Sequence, residues 1–286
     1  MMSTKHNLPG AVNTESNSVY ADENAMASRS RRRNRRRHGA APRQLNPLKP
    51  QYCNLVNLWR EADAKKSHPS EWVIQQYANF HQPFVLDIGC GEGEWALKTA
   101  QECPDLNILG LELRSEALTK DRRRQAQEMP NLALLDANVL SGDLKVLLQD
   151  IHKVGGNVAA VMVQCPDPHW KTKHRKRRIL GPILLQTCYD CMSLQASLFV
   201  RTDVERVAQD ISILSRHLFV EDAPDNLLER LCRIPTERML YVNRKGGSMY
   251  QRTFRKRSEP LPPSDDENDE QEDFGSEEPL FGVYDY

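Results

Sequence analysis

Short apolar runs alternate with amphipathic stretches along most of this chain. Phe84–Ile88 (FVLDI) is a compact apolar run stopped by glycines, which predicts a buried strand. Trp95–Gln101 continues with helical spacing, and Asn107–Glu112 (NILGLE) predicts a second strand. Ser115–Glu128 reads as a helix with Ser115 as its N-cap. Leu132–Leu135 is a third strand, and Val158–Val163 (VAAVMV) is a fourth, apolar on both faces. Leu180–Leu194 reads as a helix, Ser197–Val200 opens a fifth strand, Val204–His217 is another helix, and Ser248–Phe254 is a late strand. Strands that are apolar throughout and alternate with helices predict an α/β fold. Its sheet should be mostly parallel, Rossmann-like, and covered by helices on both faces.

The pattern fades at both ends. Residues 1–42 are rich in Ser, Asn, Ala and Arg with few large apolar side chains, and residues 258–286 are acidic and proline-containing. Neither stretch can bury enough apolar surface to offset ordering, so both are expected to be disordered tails. One domain over 43–257 remains.

Composition matters here through its distribution. The 39 Lys and Arg balance the 39 Asp and Glu of the whole chain. Residues 1–50, however, carry 10 basic against 3 acidic side chains, and residues 258–286 carry 11 acidic and no basic ones. A neutral total therefore does not argue against a nucleic-acid partner. Ser28–His38 contains seven arginines, which fits a solvated basic tail, a nuclear-import signal, an RNA-gripping arm or part of a transit peptide. Glu15, Asp22 and Glu23 disfavour the last. No run approaches the roughly 18 apolar residues of a spanning helix, and no apolar N-terminal stretch suggests secretion. The expected location is intracellular, in nucleus or cytosol, with a plastid left open. The seven cysteines are odd in number and scattered, as for reduced thiols, and the Cys188–Cys191 pair lacks the further ligands of a zinc site.

Two segments carry candidate chemistry. The first is Asp87-Ile-Gly89-Cys-Gly91-Glu-Gly93, directly after the first strand. Glycines there let a ligand approach the backbone at the carboxyl edge of a sheet. Glu112 ends the second strand 23 residues after Gly89, where a carboxylate can accept hydrogen bonds from two ribose hydroxyls. Asp136-Ala-Asn138 ends the third strand, placed to face an adenine edge. Polar groups at three successive strand ends suit a nucleoside-containing cofactor. S-adenosylmethionine fits better than a dinucleotide, because Asp87 can meet a cationic amino-acid end, while Glu92 and Glu94 would repel a pyrophosphate.

The second segment runs from the fourth strand as Val163-Gln164-Cys165-Pro166-Asp167-Pro168-His169-Trp170-Lys171, then Thr172-Lys-His174-Arg175-Lys-Arg177-Arg178. An aspartate between two prolines sits on stiff backbone, as a catalytic carboxylate at a strand end requires. Six Lys or Arg within 171–178, with Trp170 beside them, form a cationic platform for phosphates and a stacked base.

These motifs resemble the tRNA (guanine-N7)-methyltransferase family. The resemblance rests on Asp87-Ile-Gly-Cys-Gly, Gly110-Leu-Glu112-Leu-Arg114, Pro166-Asp-Pro-His with Lys171, and His174-Arg-Lys-Arg-Arg178. Arg43–Leu48, Thr202-Asp203 and Thr236-Glu237 add to it, so that it covers about residues 43–257. It implies a class I methyltransferase fold, S-adenosylmethionine as donor, no metal, and a guanine in tRNA as substrate. Gly89, Glu112, Leu113, Asn138 and Val139 would line the donor site together with Asp87 and Gln164. Asp167 would be catalytic, Lys171 and Asp203 would contact tRNA, and Thr236, Glu237 and Arg238 would close the pocket. The chain departs from many members in having Pro168-His169-Trp170 where they have Pro-Trp. Eukaryotic members work with a WD-repeat partner and bacterial ones without it. Three other readings stay open: methylation of an exocyclic amine on another base, a dehydrogenase, and a non-catalytic RNA-binding subunit of the same fold.

Overall fold

A computed structural model describes residues 46–63, 70–169 and 172–262. Seven strands form one sheet: β1 (Phe84–Ile88), β2 (Asn107–Glu112), β3 (Leu132–Asp136), β4 (Val158–Gln164), β5 (Ser197–Thr202), β6 (Phe219–Glu221) and β7 (Tyr250–Lys256). Their order is β3-β2-β1-β4-β5-β7-β6. The first five are parallel, and β7 runs antiparallel to both β5 and β6. The helices are α1 (Leu55–Asp63), α2 (Glu71–Gln76), α3 (Glu94–Glu102), α4 (Lys120–Gln127), α5 (Asp143–Lys153), α6 (Pro182–Cys191), α7 (Glu205–Ser215), α8 (Asn226–Cys232) and α9 (Glu237–Arg244).

The side-chain period of a strand divides the sheet's residues between two cores. On β1, Phe84, Leu86 and Ile88 enter one core and Val85 the other; on β4, Val161 and Val163 oppose Ala160 and Met162. The first core is closed by α1, α2, α5, α6 and α7 through residues such as Val56, Val73, Leu147, Leu184 and Ile211. The second is closed by α3, α4 and α8 through Trp95, Ala126 and Leu228. Apolar strands on both faces thus match a sheet covered on both sides.

Two expectations need correction. The helix read over Ser115–Glu128 is only Lys120–Gln127, because Thr119 takes the N-cap and accepts from Arg122 N at 3.2 Å. Ser115 instead donates to Asp136 Oδ2 at 3.1 Å. Five helices (α1, α2, α5, α8, α9) and the edge strand β6 escape the sequence reading. They are short or begin without a strong start signal. Residues 1–45 and 263–286, including most of both expected tails, lie outside the described residues, as do Trp170 and Lys171.

The helices before β1 are tied to α5 through one buried acid. Asp150 is fully buried and accepts from Trp72 Nε1 at 3.0 Å, from Ser70 Oγ at 3.3 Å and from Arg60 at 3.4 Å. Removing the acid strands these donors against apolar surroundings. Asp150→Ala is expected to lower stability by about 3 kcal/mol in chemical denaturation. A loss below about 1 kcal/mol would show that the clamp is dispensable.

Candidate active site

The chain runs β1, β2, β3 outward along one half of the sheet, then returns to place β4 on the other side of β1. Loops leaving β1 and β4 therefore part in opposite directions, and a crevice opens at their carboxyl ends. Asp87 on β1 and Gln164 on β4 bridge that crevice, with Gln164 Nε2 donating to Asp87 Oδ1 at 3.4 Å. Asp87 is buried, and burial, with a smaller contribution from the charge of Glu112, pushes its carboxyl from 3.8 up to about 7 against the Gln164 bond. Gln164 Oε1 is buried beside it with no hydrogen-bond partner. The carboxylate has one long hydrogen bond and the amide oxygen none, so both have room for a further donor. A ligand ammonium supplies one.

The turn after β1 is held from below. Gly89 N and Cys90 N both donate to Leu111 O, at 2.8 and 3.0 Å. Gly89 and Gly91 adopt φ of +75° and +57°, and a Cβ on Gly91 would meet nothing within 4 Å, so the space above that glycine is open. Glu112 closes the turn: Oε2 accepts from Gly91 N at 3.0 Å and Oε1 from Arg114 N at 2.9 Å. A carboxylate offers about four lone-pair sites, so both oxygens keep capacity for hydroxyl donors. The acid read as a ribose ligand thus also shapes the glycine turn, which the sequence does not reveal. Leu113 follows it at the strand end.

The third strand end differs from its expected role. Asp136 pairs with Arg123 at 2.7 Å. Asn138 is buried and spends its amide on the segment before α1, donating to Pro47 O at 2.8 Å and Tyr52 O at 2.7 Å. Asp136 keeps further acceptor capacity at a side chain 34% exposed, and Val139, which packs in the first core, follows.

Beyond β4 the chain takes an unusual path. Cys165 and His169, neither a glycine, adopt φ of 50° and 45° on the two sides of Pro166-Asp167-Pro168. Left-handed residues of this kind cluster at functional sites, where surrounding contacts must hold them. Here Cys165 N donates to Arg201 O at 2.6 Å, and His169 N donates to Asp167 Oδ1 at 3.2 Å. Asp167 itself is exposed, 53% by side chain, while His169 behind it is buried. Burial lowers the His169 pKa from its ordinary value, against the pull of Asp167. The prolines are legible in the sequence; the two strained residues that aim the aspartate are not.

The basic segment forms a turn of 3-10 helix, Thr172–Arg177. Lys176 is exposed, whereas the Arg178 side chain is only 19% exposed and lies 3.9 Å from Asp210 on α7. Lys171 lies outside the described residues. Asp203 and Arg238, both expected to bind substrate, are brought together at 2.6 Å. Thr236 caps α9, accepting from Met239 N at 3.1 Å, and Glu237 follows it exposed. Among the described residues no group of three or more His, Cys, Asp or Glu could hold a metal, and no helix is long and apolar enough to cross a membrane.

The strand order and the reversed β7 define a class I methyltransferase fold. A family model described as "Putative methyltransferase" matches residues 81–252. A tRNA (guanine-N(7)-)-methyltransferase of Nostoc sp. strain PCC 7120 is 30% identical over 75% of this chain and 93% of its own length. Another, from Microcystis aeruginosa, is 31% identical over 74% and 96%. Among solved structures, the 16S rRNA methyltransferase KamB aligns over 67% of this chain and 92% of its own at 17% identity and TM-score 0.41. The chain belongs to the tRNA (guanine-N7)-methyltransferase family. S-adenosylmethionine, the donor of this class, fits the residues present. The Asp87 carboxylate and Gln164 Oε1 suit its ammonium, Glu112 its ribose, and the open space above Gly91 its close approach.

Two outcomes follow. A carboxyl raised in the folded state keeps its proton between about pH 4 and 7 while the unfolded chain has lost it. Stability of the ligand-free protein therefore falls as pH rises through that window, by up to about 1.4 kcal/mol per pH unit from this group. The difference between wild type and Asp87→Asn, by denaturation at pH 5 and pH 7.5, isolates it; parallel profiles would mean that Asp87 titrates normally. Glu112→Gln turns one acceptor toward a backbone N–H as an amide donor. It should weaken S-adenosylmethionine binding about tenfold or more by calorimetry, and unchanged affinity would remove Glu112 from the donor site.

Proposed function

We propose that this protein transfers the methyl group of S-adenosylmethionine to N7 of a guanine in tRNA. The observation that carries the reading is that both sets of residues lie at the carboxyl ends of neighbouring strands. Asp87, Gln164, Glu112 and the glycine turn stand at the ends of β1, β4 and β2, and the exposed Asp167 follows three residues after Gln164 on β4. Membership of the family supports the substrate, and the basic turn after Asp167 supports an RNA partner.

The chemistry needs little from the protein beyond placement and charge. Guanine N7 carries a free lone pair and no proton, so no general base is required. When bound, S-adenosylmethionine supplies an electrophilic methyl on a sulfonium. Asp87 and Gln164 hold the donor's amino-acid end, and Glu112 holds its ribose. Asp167 accepts hydrogen bonds from the base, orients it in line with the methyl, and stabilises the positive charge the base gains. Lys171, Asp203, Thr236, Glu237 and Arg238 bound the substrate side, and the exposed basic residues grip phosphates without specifying the base.

The two relatives named above are bacterial, and the reading takes the chain as active alone. A WD-repeat partner, expected for a eukaryotic member, is the alternative assembly. Either way it works wherever tRNA is matured, in cytosol, nucleus or plastid. Incubation of the purified chain with unmodified tRNA and labelled donor, followed by nucleoside analysis, is expected to yield 7-methylguanosine. A labelled exocyclic-amine product, or none even with a WD-repeat partner added, would overturn the reading.

Asp167→Asn preserves shape and one acceptor oxygen but removes the charge. With tRNA and donor saturating, the single-turnover rate should fall by about 10²–10³. A folded variant at near wild-type rate would remove the role. A loss confined to tRNA affinity would make Asp167 a positioning residue.

A further inference from the structure

We infer that Arg178, the last residue of the basic run, is no part of the tRNA platform; together with Asp210 it is a positioning device for the Asp167 loop. The inference rests on the function proposed above. Arg178 reaches two ways from one guanidinium. One nitrogen lies 3.9 Å from Asp210 Oδ2 on α7, and the other donates to His169 O at 3.5 Å. Both side chains are mostly buried, at 19% and 15% exposure, whereas a phosphate contact must stand in water until RNA arrives. Asp210 is held in turn by Arg206 at 2.8 Å. His169 is the left-handed residue whose backbone N–H donates to Asp167 Oδ1.

A connected path therefore runs from α7 through Asp210 and Arg178 to the carbonyl of His169, and from its amide to the carboxylate. The same segment touches the donor side, since a Cβ on Gly89 would lie 3.9 Å from Ile179, the residue after Arg178. A strained non-glycine turn persists only where its surroundings fix it. Arg178 supplies that restraint with a planar fork that a lysine cannot reproduce. Without it the His169 peptide relaxes and Asp167 loses its aim; displacements of about 1 Å can cost 10²-fold in rate.

The two roles for this pair predict opposite results. Asp210→Asn removes a negative charge beside a basic segment, so an electrostatic platform alone would bind tRNA more tightly and methylate at the same rate. Arg178→Lys keeps the charge and would leave a platform nearly intact. The positioning role instead predicts that both variants lose about tenfold or more in single-turnover rate at saturating tRNA and donor. The tRNA affinity and its salt slope should stay as in wild type. Donor affinity by calorimetry and thermal melting serve as folding controls, and if Asp210→Asn fails to fold, Arg178→Lys decides alone. Unchanged rates in active enzyme would overturn the inference, as would a loss carried by tRNA affinity with a salt slope reduced by roughly 0.7–0.9. A wild-type protein that does not methylate tRNA would instead overturn the function on which it rests.

Discussion

The reversal of strand order beside β1 is the constraint on which the site depends. Because β4 returns to the opposite flank of β1, the loops that follow these two strands separate, and the sheet opens there at its carboxyl edge. The gap is spanned by Gln164 and Asp87, one side chain from each strand. That bridge is incomplete. It leaves a carboxyl strongly raised by burial and an amide oxygen without a donor. An unfinished polar pair buried in the sheet costs stability, which a bound cationic group would recover. The proposed donor cradle thus rests on an unfavourable feature of the ligand-free fold.

On each side of this bridge a loop is pinned at more than one point. On the donor side, Leu111 O and the Glu112 carboxylate take the backbone amides of Gly89, Cys90 and Gly91, so the turn holds its shape without a ligand. On the substrate side, Arg201 O takes the amide of Cys165, and Arg178 takes the carbonyl of His169. Asp167 sits between those two pins. Methyl transfer to a nitrogen with a free lone pair needs alignment more than proton transfer, and the loop anchors on both sides of the crevice agree with that demand.

Legibility in the sequence followed physical simplicity. The strands β1 to β5 are apolar on both faces, so their composition alone marked them; β6 is only Phe219–Glu221, too short for a pattern. Glycines and prolines announced the turns at Gly89 and Asp167, because those residue types change backbone preference by themselves. The fate of a polar side chain was less visible, since it depends on neighbours distant in sequence. Asn138, read as a ligand contact, clamps Pro47 and Tyr52; Asp136 is taken by Arg123; Asp203 and Arg238 neutralise each other. Arg178 looked like one more charge in a basic run until its partner on α7 was in place. No local signal marks Asp210 as that partner.

On the proposed function, Asp87 holds a proton in the ligand-free protein and meets the donor's ammonium as a carboxylate. Calorimetric titration of S-adenosylmethionine at pH 6.5, in buffers of different ionisation enthalpy, counts the protons exchanged on binding. With a carboxyl near pKa 7 that ionises on binding, wild type should release roughly three quarters of a proton more than Asp87→Asn, which should also bind far more weakly. Equal proton counts and equal affinity in the two proteins would contradict the account.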